Sequence, residues 1–116
     1  MSRHHRIDYV ELAAPDLEAS KRFYGDVFGW TFVDYGPGYA GIACPDSSGE
    51  IGGLDAAGTP GVGSPLVIIY SDDLDATHAE VSAAGGKPAE PYTFPGGRRF
   101  HFSDPAGNEL AVWATH

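Results

Sequence analysis

The sequence predicts an α+β fold of two β-α-β-β-β modules, on three observations. The segment Asp16-Leu17-Glu18-Ala19-Ser20 returns as Asp73-Leu74-Asp75-Ala76-Thr77, 57 positions further on (16 against 73), each time after an apolar run. The same offset carries Gly29 onto Gly86, 13 positions past either aspartate, so both copies hold a capping residue and a helix stop at one spacing. Between the copies lies Gly52 to Pro65, rich in glycine, proline and small residues, which reads as a linker. Together these make one domain over 1–116, with module one at about 6–54, the linker at about 55–65 and module two at about 66–114. A repeat of this kind means that neither copy buries its apolar face alone, so a cleft between twins is the natural place for function.

Ile7 to Ala14 is apolar and β-compatible, and Pro15-Asp16 ends it by blocking strand pairing and supplying an N-cap. From Leu17 to Phe28 the apolar positions Leu17, Ala19, Phe23, Tyr24, Val27 and Phe28 recur every three to four residues, which predicts a helix with one buried face. Trp30 to Tyr35 and Tyr39 to Cys44 read as strands around a Gly36-Pro37-Gly38 turn, and Glu50 to Leu54 as a weaker fourth strand. The second copy opens with Leu66 to Tyr70 and continues into a helix from Asp73 to about Ala84, stopped by Gly85-Gly86. Lys87 to Tyr92, Arg98 to Ser103 and Glu109 to Trp113 are its remaining strands.

Composition narrows the function classes. Hydrophobic residues make up 42% of the chain, enough for a real core. Seven basic and 16 acidic side chains give a net charge of −9, which opposes nucleic-acid phosphates and anionic lipid surfaces. The lone Cys44 has no disulfide partner, the polar opening Met1-Ser2-Arg3-His4-His5-Arg6 lacks a secretory apolar segment, and no apolar run nears the roughly 20 residues that cross a bilayer. These features predict a soluble cytoplasmic protein without nucleic-acid or membrane partners.

Three motifs carry a family resemblance: Pro15-Asp16-Leu17-Glu18-Ala19-Ser20-Lys21-Arg22-Phe23-Tyr24, then Val27-Phe28-Gly29-Trp30, then Asp104-Pro105-Ala106-Gly107-Asn108 before the last strand. Over nearly its whole length the chain resembles the vicinal oxygen chelate superfamily, the glyoxalase, bleomycin-resistance and dioxygenase fold. The resemblance implies that the paired modules form a cupped mixed sheet whose concave face holds a ligand, often with a divalent metal. It also implies a homodimer, since members of this size commonly pair and pairing covers open strand edges.

Metal-dependent members place His or Gln seven residues before the first capping aspartate, which is Tyr9 here. They place a His six residues before the Asp72-Asp73 pair, here Leu66, and a Glu seven residues after Asp104, here Ala111. The fourth ligand belongs to the fourth strand, where Glu50 is the nearest candidate. One carboxylate does not supply the several N or O donors that a divalent ion needs. The expectation is therefore no metal and no cofactor, and neither glyoxalase I nor extradiol dioxygenase chemistry.

The same positions mark the concave face, because residues two apart on a strand share a face. Tyr9 brings Ile7 and Glu11, Leu66 brings Ile68 and Tyr70, and Ala111 brings Glu109 and Trp113. Their neighbours Val10, Leu12, Val67, Ile69, Leu110 and Val112 are all apolar, as a layer under the helices demands. In the seventh strand Arg99 and His101 join the cup opposite Phe100 and Phe102. Tyr9, Leu66, Ile68, Tyr70, Arg99, Ala111 and Trp113 are thus the expected ligand contacts, and Glu11 and His101 the expected acid-base groups. Simple core packing of the aromatics, and for Glu11 a salt bridge with Arg99 or solvent exposure at the rim, are the bland alternatives. His4 and His5 belong to an expected frayed terminus, and Cys44 to an inert thiol.

Aromatic walls with a few polar groups suit a flat, partly apolar small molecule. Two functions lead on these residues, with a purely regulatory or interaction module left open as a third. One is a metal-independent binder that sequesters an aromatic or amphipathic ligand, and the other is a metal-independent isomerase, lyase or cyclase with Glu11 as its base.

Overall fold

The computed structural model describes residues 3–61, 64–105 and 107–116. Met1 and Ser2 of the polar opening, Val62 and Gly63 of the linker stretch, and Ala106 of the Asp104–Asn108 motif lie outside the described residues. The chain divides into two compact units, Tyr9–Pro65 and Leu66–His116, the second joined by the residues up to Asp8.

In the first unit, β1 (Ile7–Ala13) leads into α1 (Leu17–Phe28), followed by β2 (Phe32–Asp34), β3 (Tyr39–Ala43) and β4 (Glu50–Asp55). The Asp16 carboxylate accepts from the Ala19 N–H at 3.1 Å, and Gly29 closes the helix in the left-handed region at φ 72°, both as the spacing requires. The strands lie in the order β2-β3-β4-β1, antiparallel except for β4 against β1. Register sets Leu12, Leu54 and Ala40 in one row toward the helix, where Ala14, Leu17 and Ile42 complete the buried core. The next row, Glu11, Gly53 and Gly41, faces the other way.

Two expectations change here. Of the helix's apolar positions only Leu17 is buried, while Phe23, Val27 and Phe28 are 55%, 57% and 60% exposed. The sheet reaches the first turn and Tyr24, and beyond it the rings cluster among themselves, with Tyr24 stacked on Trp30 at 4.7 Å. Trp30 accordingly lies outside β2, which shrinks to three residues. Gly52 and Gly53, at the start of the glycine-rich stretch, belong to the fourth strand as expected for Glu50 to Leu54: a Cβ on Gly52 would press into the Val10 carbonyl, so this glycine serves close approach of β4 to β1.

The second unit repeats the plan: β5 (Leu66–Tyr70), α2 (Leu74–Ala83), β6 (Lys87–Pro88), β7 (Tyr92–Phe94), β8 (Gly97–Ser103) and β9 (Glu109–Ala114). Asp73 caps α2 by accepting from Ala76 N–H, as Asp16 caps α1. The order is β5-β9-β8-β6 with β9 parallel to β5, matching β1-β4-β3-β2 strand for strand. The added piece is β7 on β8: the expected Lys87–Tyr92 strand splits where Pro88 and Pro91 remove two ladder donors. Leu74, Phe100, Val112 and Ala114 form this unit's core, with Ile69, Val81 and Phe102 against it, so the helix-facing half of the alternation stands.

His4 and His5 are not frayed. His5 N–H donates to the Tyr70 carbonyl at 2.7 Å, Tyr70 N–H returns to the Arg6 carbonyl at 3.0 Å, and the His4 ring accepts from Asp72 N–H at 2.8 Å. These bonds hold residues 4–6 to β5 and the start of α2. Among the described residues no helix is long and apolar enough to cross a membrane.

Candidate functional site

In the first unit the row Glu11–Gly53–Gly41 carries one side chain across three strands, and neighbouring side chains fold into the space. A Cβ on Gly53 would collide with the phenols of Tyr39 and Tyr9, and a Cβ on Gly41 with the Glu50 carboxylate. The glycines are therefore what lets this cluster close. Tyr39 Oη donates to Glu11 Oε2 at 3.0 Å and lies 2.5 Å from Tyr9 Oη. A carboxylate only accepts, so the Tyr39 proton points to Glu11 and Tyr9 donates to Tyr39. The result is a directed chain, Tyr9 to Tyr39 to Glu11. Beside it, Tyr35 Oη donates to Glu50.

Burial pushes the Tyr9 phenol up to about 12, with the Glu50 and Glu11 charges adding to it and the Tyr39 hydrogen bond opposing. Burial raises Tyr39 further, helped by the nearby Glu11 charge. Both phenols are neutral near pH 7, which keeps the donor chain intact. An unfolded phenol ionises near pH 10. Between about 10 and 12 the unfolded chain therefore holds fewer protons than the folded one, and stability should fall as pH rises through that window. Urea midpoints at pH 9 and pH 11 should show the drop, and replacing Tyr9 and Tyr39 together with Phe should flatten it. Equal wild-type midpoints would contradict the buried pair.

In the second unit β8 and β9 bring Arg99 beside Trp113 and His101 beside Ala111. Arg99 Nη2 lies 3.1 Å from His101 Nε2. Arginine only donates, so Nε2 is the bare nitrogen and the Nδ1 proton points to Glu109 Oε2 at 2.9 Å. Tyr92 Oη, 3.1 Å from Nε2, stacks its ring beside the imidazole. His101 is thus an oriented member of an Arg99–His101–Glu109 group. Trp113 Nε1 donates to Asp8 at 2.9 Å, and its ring meets Tyr70 edge-on at 5.2 Å. Leu66, Ile68, Tyr70 and Ala111 are buried at 4%, 3%, 7% and 0% exposure, whereas Arg99, His101 and Trp113 are partly exposed.

Sequence reasoning missed Tyr39, whose partners come from β1 across the sheet, and the signal available was glycine at the paired positions 41 and 53. It also missed Tyr92, because β7 was not foreseen, and Asp8. Ile7 was expected on the ligand face, yet it is 71% exposed and Asp8 is the residue that reaches Trp113.

The divalent ion implied by the resemblance does not fit these residues. Tyr9 is a neutral phenol committed to Tyr39, Glu50 is held by Tyr35, and Leu66 and Ala111 offer no donor atom. Among the described residues no three His, Cys, Asp or Glu side chains gather as a metal set.

The model of the Glyoxalase/Bleomycin resistance protein/Dioxygenase superfamily matches residues 6–112. The anthracycline biosynthesis protein DnrV of Streptomyces peucetius is 33% identical over 90% of this chain and 45% of its own. The Mn(II)-bound glyoxalase from Novosphingobium aromaticivorans superposes with a TM-score of 0.74 at 30% identity, over 99% of this chain and 40% of that one. Methylmalonyl-CoA epimerase from Mycobacterium tuberculosis, 17% identical, superposes at 0.71 over 95% of this chain and 87% of its own, and so shares the fold. The chain spans less than half the length of the curated relative and of the glyoxalase. With the repeated β-α-β-β-β plan and a family match across almost the entire length, the chain belongs to the Glyoxalase/Bleomycin resistance protein/Dioxygenase superfamily.

Proposed function

We propose that this chain is a metal-independent small-molecule binder that holds an aromatic or amphipathic ligand on the sheet faces turned away from its helices. The observation that carries the reading is the Tyr9–Tyr39–Glu11 chain, set over glycines that clear the face. It presents aromatic surface and one oriented carboxylate, the mixture that recognises a flat ligand with a few polar groups. On the second unit, Tyr70 and Trp113 supply aromatic surface and Arg99 and His101 the polar contacts, over a floor of Leu66, Ile68 and Ala111. The donor set described above supports metal independence. The name of the anthracycline biosynthesis relative agrees with an aromatic ligand. A homodimer belongs to the same proposal, and the exposed Phe23, Val27 and Phe28 of α1 are an apolar face that a second copy would cover.

The Tyr39 hydrogen bond to Glu11 favours a second reading. A carboxylate steadied by one phenol, which is itself held by another, is equipped to take a proton from a ligand C–H or O–H. In this reading the protein is a metal-independent isomerase, lyase or cyclase, with Glu11 as base and His101 as a second polar group.

Two variants test these readings. Titration with a water-soluble anthraquinone should show saturable binding that weakens about tenfold, roughly 1.4 kcal/mol, in Tyr9→Ala. Binding that never saturates would end the binder reading. Glu11→Gln keeps the shape and removes the base, so the anthraquinone should bind it within about threefold of wild type. On any substrate the protein turns over, the same change should cut kcat about 10²- to 10⁴-fold if Glu11 is the base. Unchanged turnover would discard that role.

A further inference from the structure

We propose that Asp8, Tyr70 and Trp113 form a seat for a guanidinium or ammonium group of the ligand, and that Arg3 of the chain itself fills this seat when no ligand is bound. The assignment rests on the reading above that Tyr70 and Trp113 contact the ligand, and it adds a charge to that ligand's chemistry.

The Arg3 guanidinium carbon lies 3.9 Å from the centre of the Tyr70 ring and 5.4 Å from that of Trp113. Its Nη1 faces Asp8 Oδ1 at 3.6 Å. An aromatic pair with a carboxylate at its edge is the chemistry that recognises an organic cation, because the ring faces and the anion both favour positive charge. The seat is built: Trp113 Nε1 fixes Asp8 Oδ2 at 2.9 Å, which leaves Oδ1 turned to the cation, and the Asp8 side chain is only 19% exposed. Its occupant is held loosely by comparison. The Arg3 side chain is 49% exposed, and at 3.6 Å its pairing with Asp8 is too long for a well-formed hydrogen bond.

Only the Arg3 side chain must leave for a ligand to enter. The backbone there is held separately, by Arg6 N–H on the Arg3 carbonyl at 3.0 Å and by His5 and Arg6 on Tyr70. Net charge favours the exchange as well: at −9 the chain draws cations from solution. Arg3 is then an internal competitor that raises the threshold most for cationic ligands, which meet it at Asp8 as well as at the rings.

Benzamidine, a planar aromatic cation, and benzamide, its neutral analogue, test this by NMR titration. Arg3→Ala should bind benzamidine about tenfold more tightly than wild type does, with a clearly smaller gain for benzamide. Arg3→Gln, which keeps the length and loses the charge, should give the same gain. Asp8→Asn in the Arg3→Ala background should bring benzamidine down to the benzamide affinity, with a thermal melt to show that the variant is folded. No gain in either Arg3 variant, or an equal gain for benzamide, overturns the proposal. The anthraquinone titration run on the same samples separates the two readings: if it binds and the benzamidine gain is missing, only the cation seat fails.

Discussion

Replacing Phe100 with alanine should remove about 3–5 kcal/mol of stability, the range for deleting a buried aromatic from a packed core. Phe100 has 0% exposure and sits in the middle of β8, where its ring meets His78 edge-on at 4.8 Å and joins Leu74, Val112 and Ala114 in the core. These partners lie on α2 and β9, so the cavity would open where helix and sheet meet and could not close without moving one of them. Small domains hold only about 5–15 kcal/mol in total. The variant should therefore unfold at much lower urea, with an unchanged m-value showing that cooperativity survives. A loss below about 1 kcal/mol would mean that the ring's place in the core is wrongly assigned.

Gly97→Ala should cost about 2–4 kcal/mol through a different mechanism, backbone strain added to overpacking. Gly97 stands at φ 149°, a conformation that side chains rarely accept, and its added Cβ would drive into the Ala114 carbonyl and the Thr115 backbone. Neither can yield cheaply, because Arg98 next door is paired with Ala114. The substitution strikes the start of the strand that carries Arg99 and His101. It should therefore lower stability and loosen the Arg99–His101–Glu109 group together, visible as a shift of the His101 ring resonances. An alanine variant with wild-type stability would show that β8 does not begin this way.

The architecture was legible because its signals are local and doubled. Asp16 and Asp73 cap helices through their own side chains, Gly29 ends α1, and the alternation that sends Ile69 and Val112 to the helix follows from strand geometry alone. The same alternation expects Arg99, His101 and Trp113 on one face, and the register of β8 with β9 pairs Arg99 with Trp113 and His101 with Ala111. Legibility ended where packing overrode pattern. The helical spacing of Phe23, Val27 and Phe28 is real, yet the core cluster takes up only Leu17 and Tyr24 of α1 and leaves these three exposed. Pro88 and Pro91 broke a strand that composition alone had drawn as continuous. Tyr39 was invisible as a site residue because its importance comes from Glu11 and Tyr9, 28 and 30 positions away in sequence, and from glycines that a composition reading assigns to flexibility. Arg3 was lost to the assumption that a polar opening frays, when His5 and Arg6 are bonded to Tyr70 and Arg6 N–H holds the Arg3 carbonyl.

Native mass spectrometry of the protein, purified without chelator from its own host, tests the central claim of a metal-independent small-molecule binder most directly. One spectrum reads the subunit count, any bound metal and any retained ligand. The account predicts a metal-free dimer carrying an organic molecule of aromatic character, lost on denaturation and reduced in Tyr9→Ala. A stoichiometric divalent metal would contradict it, returning Tyr9 and Glu50 to the question of how such an ion is held.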